Sequence, residues 1–132
     1  MKRILFLLWG LLVFYQVGAQ NRKIAFEKTT LREALNKASS ERKLTFVDCY
    51  TEYCGPCKTM DALVFTLDSV ADFFNSNFVN VKLDMEKGEG RELAKKYQVK
   101  VYPTFLILNE DGEVIHKMVG GMKAEEFLQN VQ

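Results

Sequence analysis

The chain predicts an α/β fold, a central mixed β-sheet flanked by helices on both faces, and three observations carry that prediction. Strand-like and helix-like stretches alternate along the sequence, as a layered α/β domain requires. Two runs of strand length read as buried strands: Leu44–Tyr50, rich in β-branched and aromatic residues, and Thr104–Leu108, apolar on both faces. The turn residues Asn109-Glu110-Asp111-Gly112 then join Thr104–Leu108 to Glu113–Val119 as a hairpin, which makes the sheet mixed. With 132 residues and 48% hydrophobic composition the chain suits a single domain with one core, and it carries no internal repeat or low-complexity segment.

The elements follow in order. Residues 1–19 stand apart: Lys2-Arg3, an almost wholly apolar Ile4–Val17, then the small residues Gly18-Ala19. This is the layout of a secretory signal peptide, with cleavage expected between Ala19 and Gln20 and a mature domain over residues 20–132. The competing reading is an uncleaved membrane anchor, but Ile4–Val17 is 14 residues and includes Gln16, whereas a bilayer span takes about 20 apolar residues. An exported, periplasmic or extracytoplasmic location is the expectation, with a membrane-anchored form as the alternative.

Ile24-Ala25-Phe26 reads as a short strand. Thr30 and Glu33 have the spacing of a capping box, and Leu31, Ala34, Leu35 and Ala38 share one face of a helix over roughly residues 31–42. A second helix follows Cys54 through Met60 and Leu63, and Asp68 is expected to cap a further helical stretch through Val70, Phe73 and Phe74. Phe78–Asp84 alternates like a strand. Lys87–Gly90 reads as a loop without the spacing of a phosphate cradle. Arg91–Tyr97 is a short helix, and after Gly120-Gly121 a last helix from about Lys123 to Val131 turns Phe127, Leu128 and Val131 inward.

The chemistry concentrates in Tyr53-Cys54-Gly55-Pro56-Cys57-Lys58, at the junction of a strand and a helix. That position sets the first sulfur beside the free N–H groups of the helix's first turn, where the dipole favours thiolate over thiol. Cys54 is therefore the predicted nucleophile. Cys57, one turn inward, is predicted to resolve a mixed disulfide formed at Cys54. Pro56 suits the opening of a helix, where a missing N–H costs nothing. In an oxidising compartment a cysteine pair is more often structural, but a two-residue gap closes too small a loop to stabilise a fold much. Asp48 alternates with Phe46 and Tyr50 on a central strand; a buried carboxyl without a basic partner has a raised pKa and can exchange a proton with Cys57. Cys49 points to the other sheet face and reads as a small buried hydrophobe, while His116, the sole histidine, reads as surface.

Cys54-Gly55-Pro56-Cys57-Lys58 resembles the active-site motif of the thioredoxins, and further matches run over most of residues 24–132. Val64-Phe65-Thr66, followed by Asp68 through Phe74, is more similar to the thioredoxin-like domain of bacterial thiol:disulfide interchange proteins than to cytoplasmic thioredoxin. The resemblance implies a thioredoxin-like fold and a redox-active disulfide Cys54–Cys57, with no other cofactor. It implies that Asp48 is a buried carboxylate under the resolving cysteine. It also implies a cis-proline at Pro103, so that the backbone of Tyr102 pairs with an extended substrate segment, with Tyr53, Gly55, Pro56, Tyr102 and Pro103 forming the substrate-binding surface. Tyr53 stands where the family usually has Trp. Thioredoxins often place a lysine near the buried carboxylate; the position aligned to it is Asn80, and the feature carries over only if Lys82 substitutes.

The function these readings imply is an exported thiol–disulfide oxidoreductase, a reductase of protein disulfides, whose partners are disulfide-containing proteins and a membrane or protein electron donor. Gly55 and Pro56 add no cationic donor between the cysteines, which places the reduction potential nearer thioredoxin, about −270 mV, than a strong bacterial oxidant, about −120 mV. The alternative is a binding module whose dithiol holds a soft metal such as Cu(I) without turnover. Zinc is disfavoured because only Cys54 and Cys57 have suitable spacing. Without Lys2 and Arg3 the mature chain has 16 basic and 17 acidic residues, a net charge of −1 spread without blocks, so nucleic acid is not an expected partner. A monomer is expected.

Overall fold

A computed structural model describes residues 22–132; residues 1–19, expected to be a signal peptide, lie outside the described residues. The elements run β1 (Phe26–Glu27), α1 (Leu31–Glu41), β2 (Leu44–Tyr50), α2 (Gly55–Leu63), α3 (Asp68–Asn77), β3 (Phe78–Asp84), α4 (Gly90–Lys96), β4 (Thr104–Leu108), β5 (Val114–Val119) and α5 (Ala124–Gln129). They form one sheet of order β1-β3-β2-β4-β5, parallel among β1, β3 and β2 and antiparallel through β4 and β5. The mixed α/β sheet expected from the sequence is present, and β2, β3 and β4 have the predicted limits.

Each sheet face carries its own core. One is aromatic: Phe46 of β2 and Phe105 of β4 meet Phe65, Phe74 and Phe127 from the helical side, with Met60 of α2 and Val70 of α3 beside them. Phe74 and Phe127 stack with centroids 4.8 Å apart, and Phe46 sits 4.6 Å from Phe74. The other is aliphatic: Val47, Cys49, Val81, Leu106 and Leu108 pack under Leu31, Ala34 and Ala38 of α1. Because side chains alternate along a strand, Asp48 falls on the aromatic side and its neighbour Cys49 on the aliphatic side.

Local sequence explains the ends of these elements. Thr30 caps α1 by accepting the Glu33 N–H at 3.2 Å, and Glu33 reaches back to Thr30 N, the predicted capping box. Gly90 belongs to the start of α4 rather than to the loop before it. A Cβ there would stand 1.8 Å from the Asp84 carbonyl oxygen, so only glycine lets the chain pass so close. In the hairpin, Asn109 Oδ1 accepts the N–H groups of Asp111 and Glu113 at 3.0 and 2.9 Å, which shapes the turn before β5.

Three expectations need correction. Asp68 does not cap α3: Leu67 occupies the cap without a side-chain bond, and Asp68 lies in the first turn, paired with Arg22 at 3.3 Å. Phe78–Asp84 is buried on both faces over most of its length instead of alternating, because it lies between β1 and β2 with helices on each side. His116 is half-buried. Its pairing with Ile107 turns it toward the sheet face that carries the aromatic core, and its Nε2 is buried without a hydrogen-bond partner.

Candidate active site

The strand β2 delivers the chain to the site. Beyond Tyr50 a turn closes with the Cys54 N–H donating to the Thr51 carbonyl at 3.3 Å, and Cys54 becomes the N-cap of α2. Pro56 occupies the helix's opening turn. The Cys54 sulfur accepts the Cys57 backbone N–H at 3.1 Å, while the Cys54 carbonyl accepts the Lys58 N–H at 3.2 Å. Cys54 and Cys57 are joined in a disulfide with their Cα atoms 5.2 Å apart. An N–H aimed at a sulfur, at the positive end of a nine-residue helix, favours the anionic form of that sulfur once the disulfide opens. The exposure contrast between the two is smaller than expected: Cys54 is 9% accessible and Cys57 3%.

Three loops converge at this end of the sheet. Cys49 pairs with Thr104 across β2 and β4, so Pro103, immediately before Thr104, lies at the same edge as the end of β2. The Tyr102–Pro103 peptide bond is cis, and the Pro103 carbonyl accepts the Gly120 N–H at 2.8 Å. Gly121 lies so near Pro56 that a Cβ on it would meet the proline ring at 3.4 Å. Tyr53 is 87% exposed, Gly55 and Pro56 are exposed, Tyr102 is half-buried and Pro103 is buried. A groove of about 560 Å³ flanks Pro56 along α2, lined by Thr59, Met60, Leu63, Gly121 and Met122. Of these residues the sequence assigns only Pro56 to the site; Met60, Leu63 and Gly121 read there as helix and turn residues.

Asp48 lies on the aromatic side of β2, fully buried, with Oδ1 lacking a hydrogen-bond partner. It has a basic neighbour, Lys82, the substitute the sequence left open. The β2–β3 register sets Asn80 opposite Phe46 and Lys82 opposite Asp48, so Lys82 and not Asn80 holds the position beside the carboxylate. Lys82 Nζ stands 3.6 Å from Asp48 Oδ2, an ion-pair distance too long for a hydrogen bond, and hydrogen-bonds Asp61 of α2. The Tyr50 and Phe26 rings approach the same ammonium, at 4.8 and 5.6 Å to their centroids. Burial pushes the Asp48 carboxyl up to about 7; Lys82 opposes that rise through its charge and Asp61 adds to it. On the other face, burial pushes the Cys49 thiol up to about 12, as suits an inert core residue.

Among the described residues no group of three or more His, Cys, Asp or Glu side chains is placed to hold a metal ion. A dithiolate able to bind Cu(I) would exist only after the disulfide is reduced.

A Cys-x-x-Cys disulfide capping a helix at the end of a central strand, with a cis-proline loop at the same edge, defines a thioredoxin-type redox protein. The chain belongs to the thioredoxin family, whose family model matches residues 22–132. It is similar to a disulphide-isomerase candidate from Bacteroides thetaiotaomicron: 53% identity, covering 86% of this chain and 93% of that one, with a TM-score of 0.78. It is 32% identical over 111 residues to thioredoxin Y1 of Arabidopsis thaliana chloroplasts, covering 84% of this chain and 61% of that protein. The C-terminal domain of DsbD from Neisseria meningitidis, at 23% identity and a TM-score of 0.64 over 80% of this chain and 94% of that one, shares the fold. The chain spans about half to two-thirds of the length of the curated relatives it matches, at 61%, 46% and 64%.

Proposed function

We propose that the protein is an exported thiol–disulfide oxidoreductase that reduces disulfides in other proteins. The observation that carries this reading is the Cys57 N–H donating to the Cys54 sulfur at the cap of α2, which readies Cys54 as a leaving and attacking thiolate. In the reduced enzyme the Cys54 thiolate attacks a substrate disulfide, expels one substrate thiolate and leaves a mixed disulfide. Cys57 then loses its proton and attacks Cys54 Sγ, releasing the second substrate thiolate and restoring the Cys54–Cys57 bond. The two electrons delivered to the substrate come from the dithiol, and a membrane or protein donor must return them.

Asp48 is the base that takes the Cys57 proton: a carboxyl titrating at about 7 is poised to exchange it near neutral pH. Tyr53, Gly55, Pro56, Tyr102 and Pro103 form the surface that receives an extended substrate segment. The similarity to a Bacteroides disulphide-isomerase candidate supports protein disulfides as the substrate class, and the uncharged Gly55-Pro56 pair supports reduction as the direction. The apolar residues 4–17 after Lys2-Arg3 support export. Buried Asp48 and the Pro103 loop at the same sheet edge favour exchange over Cu(I) holding, since metal binding needs neither.

The test is disulfide reduction by residues 20–132 with a chemical reductant as donor. Insulin reduction is expected from the native sequence and loss of at least a hundredfold from Cys54→Ser. Equal activity of the two would overturn the reading.

A further inference from the structure

We propose that Asp61 is a positioning residue for Asp48: by holding the Lys82 ammonium on the solvent side, it keeps the buried carboxyl from closing a full ion pair. The geometry is a three-part line. Asp61 lies on α2, one helical turn beyond Cys57, and its side chain is 41% exposed. Lys82 reaches up from β3 with a side chain 22% exposed, and Asp48 lies beneath it at 2%. The ammonium hydrogen-bonds the outer carboxylate and stays 3.6 Å from the inner one. The Tyr50 and Phe26 rings steady it in that place.

A lysine with one buried carboxylate in reach would ordinarily close on it, because a charge-assisted hydrogen bond inside a protein is strong and an unpaired buried oxygen is costly. Here Asp48 Oδ1 has no partner, so the inner carboxyl has been left under-satisfied while the outer one is bonded. The titratable and charged groups around Asp48 are few: Lys82 from β3, Asp61 from α2 and Tyr50 on its own strand, while its β4 partner Phe105 is uncharged. Apart from Asp48 itself, Asp61 is thus the one acidic group paired with Lys82, the one cation paired with Asp48 among the described residues. The raised titration of Asp48 agrees with this arrangement, since Asp61 adds to the rise and Lys82 opposes it. The consequence for turnover rests on the proton-accepting role of Asp48 proposed above; the geometry does not.

The experiment titrates the Asp48 side-chain carbon by NMR in the oxidised protein, where no turnover is involved. In the native sequence the midpoint is expected near 7. Asp61→Asn frees Lys82 to close on Asp48, and the midpoint is expected to fall by about one pH unit, with Asp61→Glu restoring it. In a Lys82→Met background the same Asp61→Asn change is expected to move the midpoint much less. No movement in the single variant would overturn the proposal. So would an equal movement in both backgrounds, which would make Asp61 a distant charge and not an anchor. Asp61 is partly exposed, so both its variants should fold, and amide spectra verify that. If the midpoint falls while the rate of mixed-disulfide release stays unchanged, the anchoring stands and the role of Asp48 in exchange fails.

Discussion

Asp48 and Cys49 are chain neighbours on one strand, both 1% accessible, and burial raises the pKa of both. Their fates differ because they face opposite sides of the sheet. Cys49 joins Val47, Val81 and Leu106 in an aliphatic layer, where nothing rewards its ionisation and the thiol stays neutral. Asp48 faces the side that carries α2, with Lys82 3.6 Å away and Asp61 beyond it, so its carboxyl titrates near neutrality. Equal burial therefore yields an inert residue on one face and a responsive one on the other; charged company makes the difference, not depth.

The largest effect should come from the aromatic face. Phe46 has six other rings within 6.5 Å, so Phe46→Ala is expected to cost about 3–5 kcal/mol in denaturant unfolding. Val47→Ala, directly behind it, removes fewer atoms and should cost less; the reverse order would break the contrast between the layers.

Next comes Asp48. Its folded pKa of about 7 lies above the usual 3.8, so its contribution to stability is fully present below about pH 4 and is lost as pH rises through 7. The full rise corresponds to about 4 kcal/mol, and Asp48→Asn, which gives up the attraction of Lys82, should recover about 2–3 kcal/mol at pH 8. The same variant should slow release of the mixed disulfide more than its formation, as stopped-flow fluorescence can separate. A flat stability profile between pH 5 and 8 in the native sequence would remove the basis of the comparison.

The smallest effect belongs to Cys49. Cys49→Ala should cost about 1 kcal/mol and leave disulfide exchange unchanged. In the reduced native protein near pH 7, alkylation should reach Cys54 first, Cys57 later and Cys49 only on unfolding, read by peptide mass. Equal labelling of Cys49 and Cys54 would contradict both assignments.

Most of this arrangement could be read from local sequence, and the exceptions have a common cause. The limits of β2 and β4 follow from apolar runs, and the cap of α1 follows from Thr30 and Glu33, features held within a few residues. The family's lysine position aligns to Asn80, with Lys82 as the substitute two residues on, because a two-residue shift keeps every side chain on its own sheet face and alternation alone does not fix which of the two stands beside Asp48. Asp61, on a helix between Met60 and Ala62, looks like any solvated carboxylate until the lysine from another strand is known to reach it. His116 reads as surface for the same reason: only its pairing with Ile107 and the core behind that strand cover it.

The proposed direction, reduction by the Cys54–Cys57 dithiol, turns on its potential. Equilibrating residues 20–132 in glutathione buffers of graded poise, and quantifying the reduced Cys54–Cys57 pair by alkylation, tests it directly. A single two-electron transition near −270 mV is predicted, the range of thioredoxin. A midpoint near −120 mV would make the protein a donor of disulfides and contradict the proposed reductase.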